Sequence, residues 1–432
     1  MKYLNRDNAQ KIDKLAGTPS FVYSEKALKD NAKAVLAFPN AFGLTARYAM
    51  KANPNGNILR VFNNEGLHID ASSSYEVQRA MKAGIAPEKI QLTSQELPTN
   101  SFLDSVFRNH VNYTACSLEQ LNIWGQTAAG SEVTVRINPG LGSGGNNRTN
   151  TGGPASSFGI WHEYISDIKD IARKYNLTIK KIHTHIGSGS DPEIWQNIAK
   201  MSLDIVKQFP HVTRLNLGGG YKVDRMHPEN STDLQKCGEP VKQAFIDFEK
   251  ETGRKLHLEI EPGTYLVANA GAILSVVDSI KSTRLIETIS NDIIRREGYR
   301  QIIANTGMTE NARIALYGAH HPIELIPIND NPREKDMFII AGHCCESGDI
   351  LTPVEGDPEK LAPILLPEPQ IGDFIATYDT GAYGASMAAK NYNSFPEAAE
   401  ILIRENGDIE IIRERQTLEQ ITQNEVPVIK IQ

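Results

Sequence analysis

Between Ala46 and Glu261 the chain repeats one pattern. A short β-branched or aromatic run ends in a polar or glycine-rich corner, and an amphipathic stretch of helical period follows. The runs are Ala46–Met50, Leu67–Ile69, Lys89–Leu92, Val111–Thr114, Val133–Ile137, Lys181–Ile186, Arg214–Leu217 and Leu256–Ile260. Helices are expected at Ser74–Ala83, opened by a capping box Ser73-Ser-Tyr-Glu76, and at Ser117–Trp124, Glu163–Lys174, Pro192–Gln208 and Pro240–Glu251. Strands that alternate with helices pair in parallel through right-handed crossovers. Eight such units in this length match a closed (β/α)8 barrel. A doubly wound open sheet is the competing arrangement.

After Glu261 the rhythm changes. Val276–Ile280, Gln301–Ala304, Ile323–Ile328, Asp336–Ala341, Phe374–Asp379 and Ile401–Ile403 read as strands without regular intervening helices, and Glu405-Asn-Gly-Asp408 is a hairpin signal. The expected division is an α/β barrel over residues 25–265, with residues 1–24 and 266–432 forming a mostly antiparallel β-sandwich or barrel domain. A chain of 432 residues has room for both.

Composition narrows the function. Hydrophobic residues make up 40% and charged residues 22%, which excludes a disordered chain. No stretch approaches the roughly 18 apolar residues of a membrane helix, and the N-terminus lacks the apolar core of a signal peptide. A net charge of −7 argues against a nucleic-acid partner. Cys116, Cys237, Cys344 and Cys345 form no CxxC, so neither a disulfide framework nor a zinc site is expected, and a reducing cytoplasm is the default location.

Barrel enzymes carry their chemistry at the C-terminal ends of the strands. The first run closes on Tyr48-Ala-Met-Lys51-Ala-Asn-Pro54. Lys51 reads either as a solvated strand-end lysine or as a desolvated amine suited to Schiff-base chemistry. The sixth run carries His183 and His185 on one face, before a Gly-Ser loop. A packed or stacking imidazole is the plainer reading, and no third ligand completes a metal site. The seventh ends in Leu217-Gly-Gly-Gly220, a bare backbone that is either a tight turn or a phosphate cradle. The eighth ends in Glu259-Ile-Glu261-Pro-Gly263, and paired carboxylates alone would also suit a glycosidase. Gly140-Leu-Gly-Ser-Gly-Gly145 satisfies a dinucleotide pattern but lacks its helix, and Gly140–Gly153 reads as a loop over the barrel mouth. Taken together, the lysine, histidine, triple glycine and glutamate suggest pyridoxal phosphate, with the glutamate keeping the pyridine nitrogen protonated.

These motifs resemble the diaminopimelate decarboxylases, in the alanine racemase-like group of pyridoxal phosphate enzymes. The resemblance runs from Thr18-Pro to about Ile403. Beyond the four strand ends, it is carried by Ala315-Leu-Tyr-Gly-Ala319, Cys345-Glu-Ser-Gly-Asp349, Gly381-Ala-Tyr-Gly384 and Asn391-Tyr-Asn393. It implies that Lys51 carries the cofactor's aldehyde carbon and that His185 stacks on the ring. Ser188, Gly219, Gly220 and Gly263 would surround the phosphate with Tyr383 nearby, Glu261 would meet the pyridine nitrogen, and Asp70 would lie close to the cofactor. Arg313 and Tyr317 resemble the pair that holds the substrate's distal carboxylate, and Glu346 the group near its distal amine. Cys345 would donate the proton. In this family Cys345 and Glu346 reach the partner's site, so the resemblance implies a homodimer with shared active sites.

The chain departs from the family pattern in two places, one of them neutral: Cys344 stands where an apolar residue is usual, and cysteine is itself small and apolar. The family usually reads Glu-Pro-Gly-Arg, and here Thr264 takes the place of an arginine that binds the distal carboxylate. The expected reaction is decarboxylation of meso-2,6-diaminopimelate to L-lysine. The alternatives are a decarboxylase of a related basic or D-amino acid such as D-lysine or D-ornithine, or a catalytically silent homologue that regulates a sister decarboxylase.

Overall fold

The computed structural model of the chain describes residues 3–140, 153–185, 191–226, 230–283, 286–289, 292–295 and 298–426. It divides into two compact units, Ala27–Val267 and, together, Met1–Lys26 with Ala268–Gln432.

In the first unit all eight expected runs are strands: Leu44–Ala49, His68–Ala71, Ile90–Thr93, Asn112–Ala115, Glu132–Asn138, Thr178–Thr184, Arg214–Asn216 and His257–Ile260. Every pairing between them is parallel, and the ring closes where the eighth pairs with the first through Ile260↔Ala46. This is a closed barrel and not a doubly wound sheet. A short added strand, Ile160–Trp161, lies beside the end of the fifth. The fourth and fifth barrel strands pair only at Thr114↔Thr134 and Ala115↔Val135, so their starts part.

The helices between the strands differ from expectation in instructive ways. Gly56–Asn64 and Asn100–Arg108 complete the alternation. The last long helix begins at Leu234, not Pro240, and carries Pro240 within it. Asp233 caps it by accepting from the N–H groups of Gln235 and Lys236. Burial of Leu234, Cys237 and Val241 offsets the bond that the proline forfeits. At Ser73 only half of the capping box forms. The Ser73 hydroxyl accepts from Glu76 N–H, but the Glu76 carboxylate turns to the N–H of Ser72, at 2.6 Å.

The second unit is mostly antiparallel and curled around one long strand, Gly271–Ser282. Its first half pairs with Ser20–Ser24 and Phe374–Tyr378, and its second half with Arg300–Ala304. A bulge between Val277 and Ser279 separates the halves. Each half has its own core, one around Val22, Leu274 and Ile401, the other around Val277, Ile302 and Phe338. Two pairings are parallel, Ser20–Ser24 with Ala399–Ile403 and Arg300–Ala304 with Lys335–Ala341. The hairpin expected at Glu405–Asp408 joins Ala399–Ile403 to Ile409–Arg413, with Gly407 at φ 91°.

Candidate active site

Inside the barrel, polar side chains stack in two layers. The lower layer centres on Glu259, which is fully buried. Arg47 Nε donates to it at 3.0 Å and Lys181 Nζ at 2.8 Å. Lys181, on the sixth strand, also donates to Gln91 Oε1 on the third at 2.5 Å, a contact possible only across the barrel interior. Two cations outweigh the burial that would otherwise raise the Glu259 carboxyl, and hold it well below the usual range. Glu259 is thus a structural counter-ion, committed to Arg47 and Lys181 and not free to serve as the second carboxylate of a glycosidase.

The upper layer centres on Glu261, at the rim. Its Oε1 accepts from Gln91 Nε2 and Asn216 Nδ2, both at 2.5 Å, and its Oε2 stands 3.3 Å from His183 Nε2. Burial works against the charged form, yet His183, Arg136 and His185 outweigh it and keep this carboxyl low. Asp70 shares the same Gln91 amide at 3.0 Å. Its carboxyl is pushed up to about 8, first by burial and then by Glu261. At neutral pH the rim therefore holds one ionised and one protonated carboxyl, a division typical of sites that manage protons.

The glycine corner packs against this rim. Gly218 has φ 74°, and a Cβ there would enter the His185 ring, while one at Gly219 would meet the Glu261 carbonyl. Gly219 N–H donates to His185 Nδ1 at 3.2 Å, which sets the tautomer with hydrogen on Nε2. Burial and the charges of Arg136 and Lys51 keep that imidazole neutral. Among the described residues the Gly220 N–H has no partner. Gly263 lies against Ala49 and Ala52, where a Cβ would crowd both at 3.3–3.4 Å.

Lys51 is exposed on a single 3-10 turn, Met50–Ala52, that lifts it off the strand end. The desolvated amine is thus corrected: Lys51 is solvated, although its charge reaches Asp70, Glu76 and His185. Ser188 and most of the Gly140–Gly153 loop lie outside the described residues. Thr264 opens the short helix Thr264–Val267 and is partly exposed.

In the second unit Arg313, on helix Ala312–Tyr317, lies over two rings, 5.1 Å from the Tyr317 centroid and 5.2 Å from that of Tyr383. Tyr383 has φ 61°, an unfavourable backbone for a bulky residue. Cys345 and Glu346 are exposed. Asn393 grips Cys345 twice: its Oδ1 accepts the Cys345 N–H and its Nδ2 reaches Sγ, both at 3.2 Å. Buried Asp349 shapes the loop by accepting from Met308 N–H at 2.6 Å and Cys344 N–H at 2.9 Å.

Gln91, Asn216, Arg136 and Asn393 escape the sequence reading. Gln91 and Arg136 sit inside ordinary strands with no motif around them, Asn216 stands just before Leu217-Gly-Gly-Gly220, and Asn393 was visible within Asn391-Tyr-Asn393. Arg136 is informative about what the rim accepts. It is buried, lies 3.7 Å from the Phe158 ring centroid, and has no hydrogen-bond partner for Nη2 among the described residues. A buried unsatisfied guanidinium nitrogen, an unpartnered glycine N–H and an anionic glutamate fit an aromatic ligand that bears acidic groups and a basic ring nitrogen.

Comparison with known proteins agrees. Residues 28–268 match the family described as pyridoxal-dependent decarboxylase, pyridoxal binding domain. The diaminopimelate decarboxylase of Streptomyces coelicolor is 33% identical over 412 residues, 94% of this chain and 88% of that protein. A crystal structure of a diaminopimelate decarboxylase superposes with a TM-score of 0.86 at 30% identity, covering 98% of this chain and 96% of the other. The Helicobacter pylori enzyme complexed with L-lysine gives 0.81 at 26%, covering 96% and 98%. With matches that run nearly end to end, the chain belongs to the diaminopimelate decarboxylase family of pyridoxal-dependent enzymes.

Proposed function

We propose that the chain is a carboxy-lyase that converts meso-2,6-diaminopimelate to L-lysine and carbon dioxide in lysine biosynthesis, with pyridoxal 5′-phosphate as its cofactor. The observation that carries the chemistry is Glu261, an anionic carboxylate buried among amide donors at the barrel rim. The bound cofactor supplies an aldehyde for the substrate amine and a cationic ring that accepts the electron pair released with carbon dioxide. Lys51 would be the residue that holds the cofactor through its aldehyde. Glu261 keeps the proton on the ring nitrogen, because opposite charges stabilise one another. Neutral His185 offers a flat apolar face to the ring, and Asp70 retains its own proton beside it. Gly219, Gly220, Gly263 and Ser188 would hold the phosphate, and Tyr383 would supply a hydroxyl to it. Arg136 serves a further acidic group of the cofactor.

Arg313, oriented by Tyr317 and Tyr383, takes the distal carboxylate of the substrate, and Glu346 its distal ammonium. Cys345 returns a proton to the α-carbon. Its exposure, and the grip of Asn393 on its thiol and backbone, support a donor held out for a partner subunit in a cytoplasmic homodimer. Among the described residues no helix is long and apolar enough to cross a membrane. Thr264 favours a second reading, decarboxylation of D-lysine or D-ornithine, since a threonine hydroxyl replaces a charge-assisted pair by at most one neutral bond. Retention of Lys51 and Cys345 speaks against a silent regulatory homologue.

Steady-state assays with meso-diaminopimelate, D-lysine and D-ornithine separate these readings. Arg313→Ala should raise the Michaelis constant for diaminopimelate about tenfold for each 1.4 kcal/mol lost, and leave substrates without a second carboxylate unaffected. A wild type that prefers D-lysine, with diaminopimelate use improved by Thr264→Arg, would overturn the substrate assignment. Mixing inactive Lys51→Ala and Cys345→Ala chains should restore activity in hybrid dimers. Failure under conditions that exchange subunits counts against the shared site.

A further inference from the structure

At the end of the barrel opposite Glu261, where the fourth and fifth strands part, the first unit carries a cleft, open to solvent, of about 430 Å³. That volume suits a small-molecule ligand. Its wall includes Tyr113, Trp124, Glu132, Lys180, Lys181 and Arg214.

The hydrogen-bond donors on this wall outnumber their acceptors. Lys181 is buried and has three N–H donors, of which one meets Gln91 and one Glu259. Among the described residues the third has no acceptor. Arg214 stands 3.8 Å from Glu259, and Lys180 3.7 Å from Glu132, both beyond hydrogen-bonding distance. The Tyr113 hydroxyl is buried without a partner among the described residues, while its ring stacks on Trp124 at 4.7 Å. Counting Arg47, four cations face two carboxylates, Glu132 and Glu259. The excess positive field is felt at His68, which burial together with Arg47, Lys89 and Lys181 holds down at about 4.

From the spare N–H of buried Lys181 and the unpartnered buried Tyr113 hydroxyl, with the solvent-reaching cations Arg214 and Lys180 beside them, we infer that the cleft binds a small oxyanion, a phosphate or a short polycarboxylate, at a site separate from the catalytic rim. The anion would accept from Lys181, Arg214, Lys180 and the Tyr113 hydroxyl. Through Lys181 and Gln91 it would lie a short chain of hydrogen bonds away from Glu261.

The test titrates the full-length, cofactor-loaded protein with inorganic phosphate and, separately, with citrate at constant ionic strength. Binding is followed by calorimetry and by tryptophan fluorescence, with Trp124→Phe identifying the signal. One probe should bind saturably and move the Trp124 emission, and whichever binds names the anion class. Lys180→Met/Arg214→Met should weaken that binding about tenfold or more, as expected when charge-assisted bonds are lost. If the double variant does not fold, Lys180→Met and Tyr113→Phe carry the test, and unchanged binding in both overturns the site. The inference also fails if neither probe saturates below about 10 mM, or if binding survives the double variant.

Discussion

Glu259 and Glu261 are the same residue type, two positions apart at the end of one strand, the first within it and the second just past it, and their surroundings give them different work. Glu259 sits among charges: Arg47 and Lys181 take its oxygens, and nothing is left for a ligand. Glu261 sits among neutral donors, Gln91 and Asn216, with a histidine close by. A carboxylate neutralised by buried cations is fastened into the fold. One held by amides, with its nearest cation, Arg136, not bonded to it, keeps oxygen lone pairs free of a fixed ion pair, and so can bias the protonation of whatever binds above it. Position at the strand end matters less than the partners that the neighbouring strands bring.

Removing the charge at the rim should have the largest effect. Glu261→Gln should fold and bind cofactor, yet lose about a hundredfold or more in kcat, in line with the loss of an acid–base partner. Turnover per bound cofactor that matches wild type would reassign Glu261 as structural. The reciprocal change one layer down should act on stability instead. Glu259→Gln leaves Arg47 and Lys181 facing each other without their counter-ion, which should destabilise the protein by about 3–5 kcal/mol. The molecules that remain folded should turn over within about threefold of wild type, roughly 0.6 kcal/mol in barrier. Denaturant melts beside cofactor-normalised rates read both quantities, and if Glu259→Gln lost rate but not stability, the contrast between the layers would collapse.

Gln91 joins the two layers, and its orientation follows from chemistry. Lys181 can only donate, so the amide oxygen faces it and the amide nitrogen faces Glu261 and Asp70. Gln91→Leu should cost about 1–3 kcal/mol, the range for stranding buried polar groups, and lower kcat by about tenfold. A variant that loses stability with an intact rate would show that the lower layer does not position the upper one.

Gln91 also marks where reading the residues alone runs out. The barrel was legible because parallel strands buried on both faces are near-continuous apolar runs, and because corners such as Leu217-Gly-Gly-Gly220 announce strand ends. Chemistry at those ends was legible too, since Glu261 and the glycine corner stand directly in the motifs. A neutral amide in the middle of Ile90–Thr93, or an arginine in the middle of Glu132–Asn138, looks like any strand residue until the ring closes and sets it beside a carboxylate. The exposure of Lys51 depends on a single 3-10 turn with no signature of its own. The early start at Leu234 was hidden by Pro240, whose local preference is overridden by burial of the helix face.

Asp70 gives the finest test of the contrast, because at neutral pH an amide in its place leaves the charge of the rim unchanged. Its carboxyl ordinarily titrates near 3.8 and here near 8, so the folded protein holds this proton more tightly than the unfolded chain does. A raised folded value means a stabilising contribution that is complete below the ordinary value and fades as pH rises through about 8. An amide mimics the protonated acid in shape and charge. Asp70→Asn should therefore match wild type in stability only at and below about pH 3.8, become progressively the more stable of the two as the pH rises toward about 8, and keep a constant advantage above it. The buried histidines His183 and His185, whose values are lowered, oppose this trend by gaining stability as pH rises through their ordinary range, but they are present in both proteins and drop out of the difference. Glu259 and Glu261, held low, contribute only where the pH falls through and below the ordinary carboxylate range. Urea unfolding of both proteins across this span gives the difference curve directly. Parallel curves would mean that Asp70 is ionised alongside Glu261, and that the rim carries two charges where the present reading allows one.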